Sequence, residues 1–304
     1  MLSATDLSAR SRRLAAAIEP VTGQVYFSPE CHARYHALGF GPSPGSNGAL
    51  AFPDGAAYFT SRGSVMGQVA GEVVAAAFGV FNPAAVIPAV SFGWMLTDAT
   101  TICAARTDGA MGQLSRILGP SPLGLERATV LLARAGSTLR PEGKPLFAGL
   151  VAIGLPGDPL GDMWRLADRL REYRGDAHIA AWTMAGFDAT EIGLLTELYW
   201  GLPMRSYVRT RAWSDADLDA GEGRLQARGL VADGMLTGEG RAAREEVEEA
   251  TDRACRPIIE AIGEDFDELI GIMRPWAKAI QSAGGYPASG PHELAAAALL
   301  SGPT

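Results

Sequence analysis

The chain has 304 residues, 47% of them hydrophobic and 20% charged, which is enough apolar surface for one large domain or two medium ones and excludes wholesale disorder. It carries 26 basic and 34 acidic residues, a net charge of −8, with a sequence pI near 5.1. A general nucleic-acid coat protein or a polybasic membrane binder has the opposite sign. The three cysteines Cys31, Cys103 and Cys255 are odd in number and form no CxxC pair, so neither a disulfide framework nor a cysteine zinc site is expected. The first eighteen residues lack an uninterrupted apolar stretch, and the apolar run 65–81 is broken by Gln68 and Glu72. A cytoplasmic protein without a membrane span is the expectation.

Helical periodicity dominates. Asp6–Ile18 repeats apolar residues at Leu7, Leu14, Ala17 and Ile18, and Pro20 is expected to stop that helix. Ser28-Pro29-Glu30 reads as an N-cap, a first-turn proline and a first-turn acid. Residues 39–55, rich in Gly, Pro, Ser and Asn, read as an irregular loop. Its glycines do not make a phosphate cradle, because Pro42 and Pro44 lack amide donors and no clear strand precedes them. Helices are expected at about 63–81, 83–94, 98–118, 124–135, 145–155 and 160–173. Arg174-Gly175-Asp176 reads as a stop and a new N-cap, which puts His178 in a first turn. A further helix spans 190–199.

From Trp200 the pattern is more specific. Ser214 caps a helix to Arg228, Gly229-Leu230-Val231 leads into a short strand, and Asp233-Gly234 is a favoured two-residue hairpin turn. Glu239 then opens a long helix. Leu225-Gln226-Ala227-Arg228-Gly229-Leu230-Val231 and Leu236-Thr237-Gly238-Glu239-Gly240-Arg241 resemble the MarR-type winged helix-turn-helix. The stretches YFSPE, VVAAAFGVFNP and REYRGDAHIAAW resemble an actinobacterial family described only as helix-turn-helix proteins. The expected fold is mainly α: a multi-helix N-terminal region (1–199) with a candidate ligand pocket, packed on a MarR-like winged helix with one short β-hairpin and long C-terminal helices (200–304).

The electrostatics of that segment disfavour DNA. Residues 205–241 hold six arginines (205, 209, 211, 224, 228, 241) and six acids (215, 217, 219, 222, 233, 239). The presumptive recognition helix is acidic over 214–223, and the wing tip carries no basic residue. The segment then serves for packing or for assembly of a homodimer, or Arg205, Arg209, Arg211 and Arg224 share one groove-facing surface.

For chemistry, His32 and His36 are four apart on one helix, without the HExxH pattern of a metal site. An imidazole at a helix start, as expected for His178, is kept neutral by the dipole and suits proton transfer. The expected site brings Glu30, His32 and His178 together as acid–base residues, with Tyr35, Arg174 and Trp182 holding an organic, anionic or carbonyl-bearing ligand. No cofactor motif is recognisable, and the cofactor is left unknown. The first reading is therefore an organic small-molecule binder, with a cofactor-independent acid–base enzyme as one version of it. The alternative is a ligand-responsive MarR-like transcription regulator, and a third is an assembly module without chemistry.

Overall fold

The computed structural model describes residues 2–287 apart from Ala49, so His292 lies outside the described residues. Among the described residues fourteen helices follow one another: α1 (Ala4–Gly23), α2 (Pro29–Ala37), α3 (Gly55–Gly63), α4 (Gly71–Phe78), α5 (Pro83–Leu96), α6 (Ala99–Leu118), α7 (Leu125–Gly136), α8 (Pro145–Ala152), α9 (Pro159–Met184), α10 (Ala189–Tyr199), α11 (Asp215–Ala227), α12 (Gly238–Ala254), α13 (Arg256–Ile262) and α14 (Phe266–Ser282). The strands are two-residue pairs: β1 (Ser46–Asn47) with β2 (Leu50–Ala51), and β3 (Val231–Ala232) with β4 (Met235–Leu236), both antiparallel. The protein is mainly α. Among the described residues no single helix is long and apolar enough to cross a membrane.

Local chemistry sets most helix starts. Ser3, Ser28, Asp54, Asn82, Asp98, Asp158, Asp188, Ser214 and Thr237 each accept a first-turn backbone amide. Three cores then organise the layers. The main one joins α1, α2, α6, α7, α9, α13 and α14; a second lies among α3, α4, α5 and α8; a third joins the end of α9 to α10, α11, β3 and α12. The third core draws Trp182, Ile192 and Leu195 from before residue 200, while α13 and α14 return to the main bundle, so the cores run across that position.

The structure corrects four expectations. Helix α1 continues through Pro20 to Gly23, because residues 17–23 are buried and the missing amide forfeits one hydrogen bond only. The segment 63–81 is split, since Gly67 takes φ +85° and ends the short turn after α3. The loop 39–55 contains the β1–β2 hairpin. Most consequentially, α9 runs unbroken through Arg174-Gly175-Asp176, so His178 lies in its interior and no helix start acts on it. Gly175 costs a helix interior about 1 kcal/mol, too little to break a helix whose neighbours Leu170, Tyr173, Asp176 and Ala177 are all buried. Asp176 does act as a cap, but for a different helix: its Oδ2 accepts the Phe147 amide of α8 at 3.0 Å, where Lys144 provides no side-chain cap.

Helix α2 crosses α6 at Gly109, where an added Cβ would fall 2.4 Å from Cys31 Sγ and 2.6 Å from Cys31 Cα. Gly109→Ala is expected to destabilise the fold by about 1–3 kcal/mol through overpacking, read as a lower urea midpoint.

Candidate functional site

The six residues expected to share a pocket fall into two groups. On α2, Glu30 takes Arg116 of α6 at 2.5 Å. Partial burial pushes its carboxyl up, but the hydrogen bonds from Arg116, its own backbone and Ser28 hold it below the ordinary value. His32 donates from Nε2 to the Tyr26 carbonyl at 3.0 Å, and burial lowers its pKa, so Nδ1 is a lone-pair nitrogen without a partner. His36 donates from Nδ1 to the Phe40 carbonyl at 3.0 Å, so the two imidazoles serve separate backbone acceptors. Among the described residues no cluster of three His, Cys, Asp or Glu is placed to hold a metal ion. Tyr35 is buried in the main core.

The cavity beside this group measures about 10 Å³ and is lined by Tyr26, His32, Tyr35, Asp54, Tyr58 and Ser61, among others, and by no residue of α9. It has room for one water and none for an organic ligand.

On α9, Arg174 and His178 face α12. Arg174 Nη2 pairs with Glu248 at 2.9 Å and Asp252 at 3.3 Å. His178 Nδ1 lies 3.0 Å from Thr251 Oγ1, which itself donates to the Val247 carbonyl at 2.8 Å, so the imidazole is the donor in that chain. Trp182 enters the third core. Helix α9 thus presents these residues to α12 and the third core, whereas Glu30, His32 and Tyr35 sit against α3 and α6.

The better-defined surface is built on α10, α11 and the β3–β4 hairpin. Asp188 and Glu191 form a capping box that starts α10, and Ser214 with Asp217 forms another that starts α11. The buried carboxylate of Glu197 organises the connection between the two helices. It accepts the backbone amides of Arg205 and Val208, each at 2.6 Å, and that of Tyr207. Burial pushes this carboxyl above its ordinary value, and the three amides pull against that shift. Arg205 and Ala212 adopt φ of +64° and +62° within the connection; the Glu197 carboxylate holds the amide of Arg205, while the carbonyl of Ala212 accepts from Asn82 Nδ2 at 3.1 Å. Asp233 and Gly234, both at positive φ, make the expected tight turn, and Val231 pairs with Leu236 across it.

On the outer face of α11, Asp215, Ala216, Asp219, Ala220, Gly223 and Arg224 are exposed. Arginines surround that face, each facing a carboxylate: Arg209 with Asp215 at 2.8 Å, Arg205 with Asp219 at 2.7 Å and Glu222 at 2.6 Å, Arg224 with Asp188, and Arg228 with Glu191 at 3.6 Å. Beside the C-terminal half of α11 lies an open depression of about 580 Å³ lined by Gly186, Phe187, Asp188, Glu191, Arg224 and Arg228, among others. Arg228 stacks 4.3 Å from the Phe187 ring centroid there.

A family defined by a helix-turn-helix matches residues 11–287, nearly the whole chain. The chain belongs to this helix-turn-helix family. Neither a curated protein nor a solved structure matches it. Sequence reasoning missed Glu197 and the α10 capping box. The box was visible as Asp188-Ala189-Thr190-Glu191, whereas nothing in the sequence assigned Glu197 three amides eight to eleven residues ahead.

Two outcomes follow from these contacts. Glu197→Ala leaves three amides without their acceptor and is expected to cost about 3 kcal/mol or more, with exchange protection lost first at Arg205, Tyr207 and Val208. Asp176 is pushed by burial from 3.8 to about 7, against the Phe147 amide, with Glu172 adding to the rise and Arg62 and Lys144 opposing it. The folded chain therefore holds a proton that the unfolded chain gives up: the stability linked to this group is full below about pH 4 and is lost as pH rises through 7. The urea midpoint of the wild type should fall between about pH 5 and pH 8, and Asp176→Asn should flatten that fall.

Proposed function

We propose that the protein is a transcription regulator in which α11 acts as the recognition helix of a MarR-like winged helix-turn-helix, with β3–β4 as its wing. The observation that carries this reading is the outer face of α11, where Ala216, Ala220 and Gly223 are exposed and small. A helix with so little side-chain bulk approaches the floor of a DNA major groove closely. Arginines flank it at both ends, where phosphates lie when a helix occupies the groove. Membership in a helix-turn-helix family supports the same assignment.

The paired carboxylates set the character of the binding. Arg209 and Asp215 are 55% and 68% exposed, and an ion pair of that kind is worth about 1 kcal/mol or less. A phosphate exchanges for such a partner, but the displaced carboxylate stays close and repels the backbone. Binding is therefore weak and steeply salt-dependent, with a Kd in the range of about 10⁻⁶ to 10⁻⁴ M at physiological salt for generic duplex DNA. Enzyme chemistry at Glu30 has no support, since Arg116 holds that carboxylate ionised, and the α2 cavity leaves an organic effector no room.

Fluorescence anisotropy with duplex DNA across a salt series tests this. Joint substitution Arg209→Ala and Arg224→Ala should weaken binding at all sequences and lower the salt slope by about 2. Asp215→Asn with Asp219→Asn should tighten binding about tenfold. If neither the wild type nor the acid-neutralised protein binds duplex at low salt, the DNA reading fails. A second reading, an assembly role, is favoured by the equal numbers of arginines and acids over 205–241. It expects those same acid substitutions to shift the oligomeric state in sedimentation instead.

A further inference from the structure

Two arginines are buried where α6 meets α9, both against Trp164. Arg106 on α6 is 1% exposed and Arg165 on α9 is 3% exposed. Both guanidiniums lie over the ring of Trp164, at 4.9 and 5.5 Å from its centroid. One carboxylate, Asp168, pairs with Arg106 and not with Arg165, and its Oδ1 has no partner. Arg106 Nη2 donates to Asp168 Oδ2 at 2.9 Å, while its Nε and Nη1 have no partner. Arg165 Nη2 donates to the hydroxyl of Thr107 at 2.7 Å, and its Nε has no partner. Among the described residues no carboxylate lies at ion-pair distance from Arg165.

The neighbouring charges do not make up the deficit. Arg62 pairs with Glu172, and Arg171 pairs with Glu19 and Glu172. The inner group is thus Arg62, Arg106, Arg165 and Arg171 against Glu19, Asp168 and Glu172. Asp176 is spent on the Phe147 amide and pairs with neither buried arginine. A guanidinium removed from water without a counter-charge is strongly unfavourable. Burial, with repulsion from Arg106 added, pulls Arg165 below its ordinary pKa. Arginine nevertheless stays protonated in proteins, so the positive charge persists.

We propose that a small monovalent anion, chloride in the cell, is bound between α6 and α9 by the unpartnered N–H groups of Arg106 and Arg165. Charge arithmetic selects the valence, since two guanidiniums and one carboxylate leave a single positive charge. Closure selects the size: with both side chains at most 3% exposed, an organic acid has no route in unless the helix pair opens. A water molecule satisfies the donors but leaves the charge. The ion is structural, joining the faces of α6 and α9, and its presence is independent of whether α11 reads DNA.

The test uses the full chain. Thermal unfolding is followed in sodium chloride, sodium bromide and sodium gluconate at matched ionic strength. At roughly ten times the Kd, halide should raise Tm by about 3 °C over gluconate and go on raising it with the logarithm of its concentration. Arg165→Met should abolish that difference between salts, whatever its own effect on stability. Crystals soaked in bromide should show an anomalous peak beside Arg106 and Arg165, a measurement that decides alone if the variant does not fold. Equal melting in the matched salts, a halide effect that survives Arg165→Met, or bromide bound only elsewhere would each overturn the assignment.

Discussion

Helix α9 runs through the molecule carrying buried charge that has to be met from every side. Within nine residues, Asp168 reaches α6, Arg171 reaches α1, Glu172 reaches α3, Arg174 reaches α12, and Asp176 takes the first turn of α8. None of these contacts is needed to form α9 itself. The charged pairs fix their neighbours in axial position, because a slip by one turn leaves a charge in the interior without its mate, a fault costing about 3–5 kcal/mol; Asp176, protonated up to about pH 7, holds α8 through the Phe147 amide. Apolar packing alone tolerates such slips far better. The pairs are accordingly better understood as setting the register of the helices than as a net source of stability.

This requirement explains which parts of the fold were legible. Helix starts announced themselves through short-range chemistry: Ser28 with Pro29, Ser214 with Asp217, and the Asp233-Gly234 turn all lie where the pattern put them. The break at Arg174-Gly175-Asp176 was misread because the same residues that mimic a stop and a cap are drawn inward by partners seventy or more residues later and about thirty residues earlier. Pro20 was misread for the same reason, tertiary burial outweighing a local breaker. Of the expected site, the helix carrying Glu30, His32 and Tyr35 was legible as a helix. What those side chains would meet was not, since Arg116 and the Tyr26 carbonyl are assigned to them by packing and by no spacing rule.

The unit bearing α11 is tied to the bundle through α12. Helix α12 lends Val247 to the third core, while Arg12 of α1 holds Glu245 at 2.6 Å and Asp252 at 2.8 Å on the same helix. Tyr199 of α10 also donates to Glu245, and Arg244 bridges Thr196 and Glu248. The orientation of the α11 face is therefore set by α1 and α9, and turning that face requires breaking pairs deep in the α12 seam. Any signal that redirects it has to act on this seam.

One more feature constrains how the chain reaches this state. Helix α1 packs against α14, with Arg13 on Asp267 at 2.8 Å, Arg10 on the Gly263 carbonyl at 3.2 Å, and the Tyr286 hydroxyl on Glu19 at 3.0 Å. Helix α1 thus leaves the ribosome well before α14, which covers it. Until α14 follows, its apolar face, with Leu7, Leu14 and Ile18, is without its final cover, whereas α10–α12 with their hairpin lie close together in sequence and can assemble earlier. The main bundle closes late, and the interval before closure is when a chaperone would find its substrate.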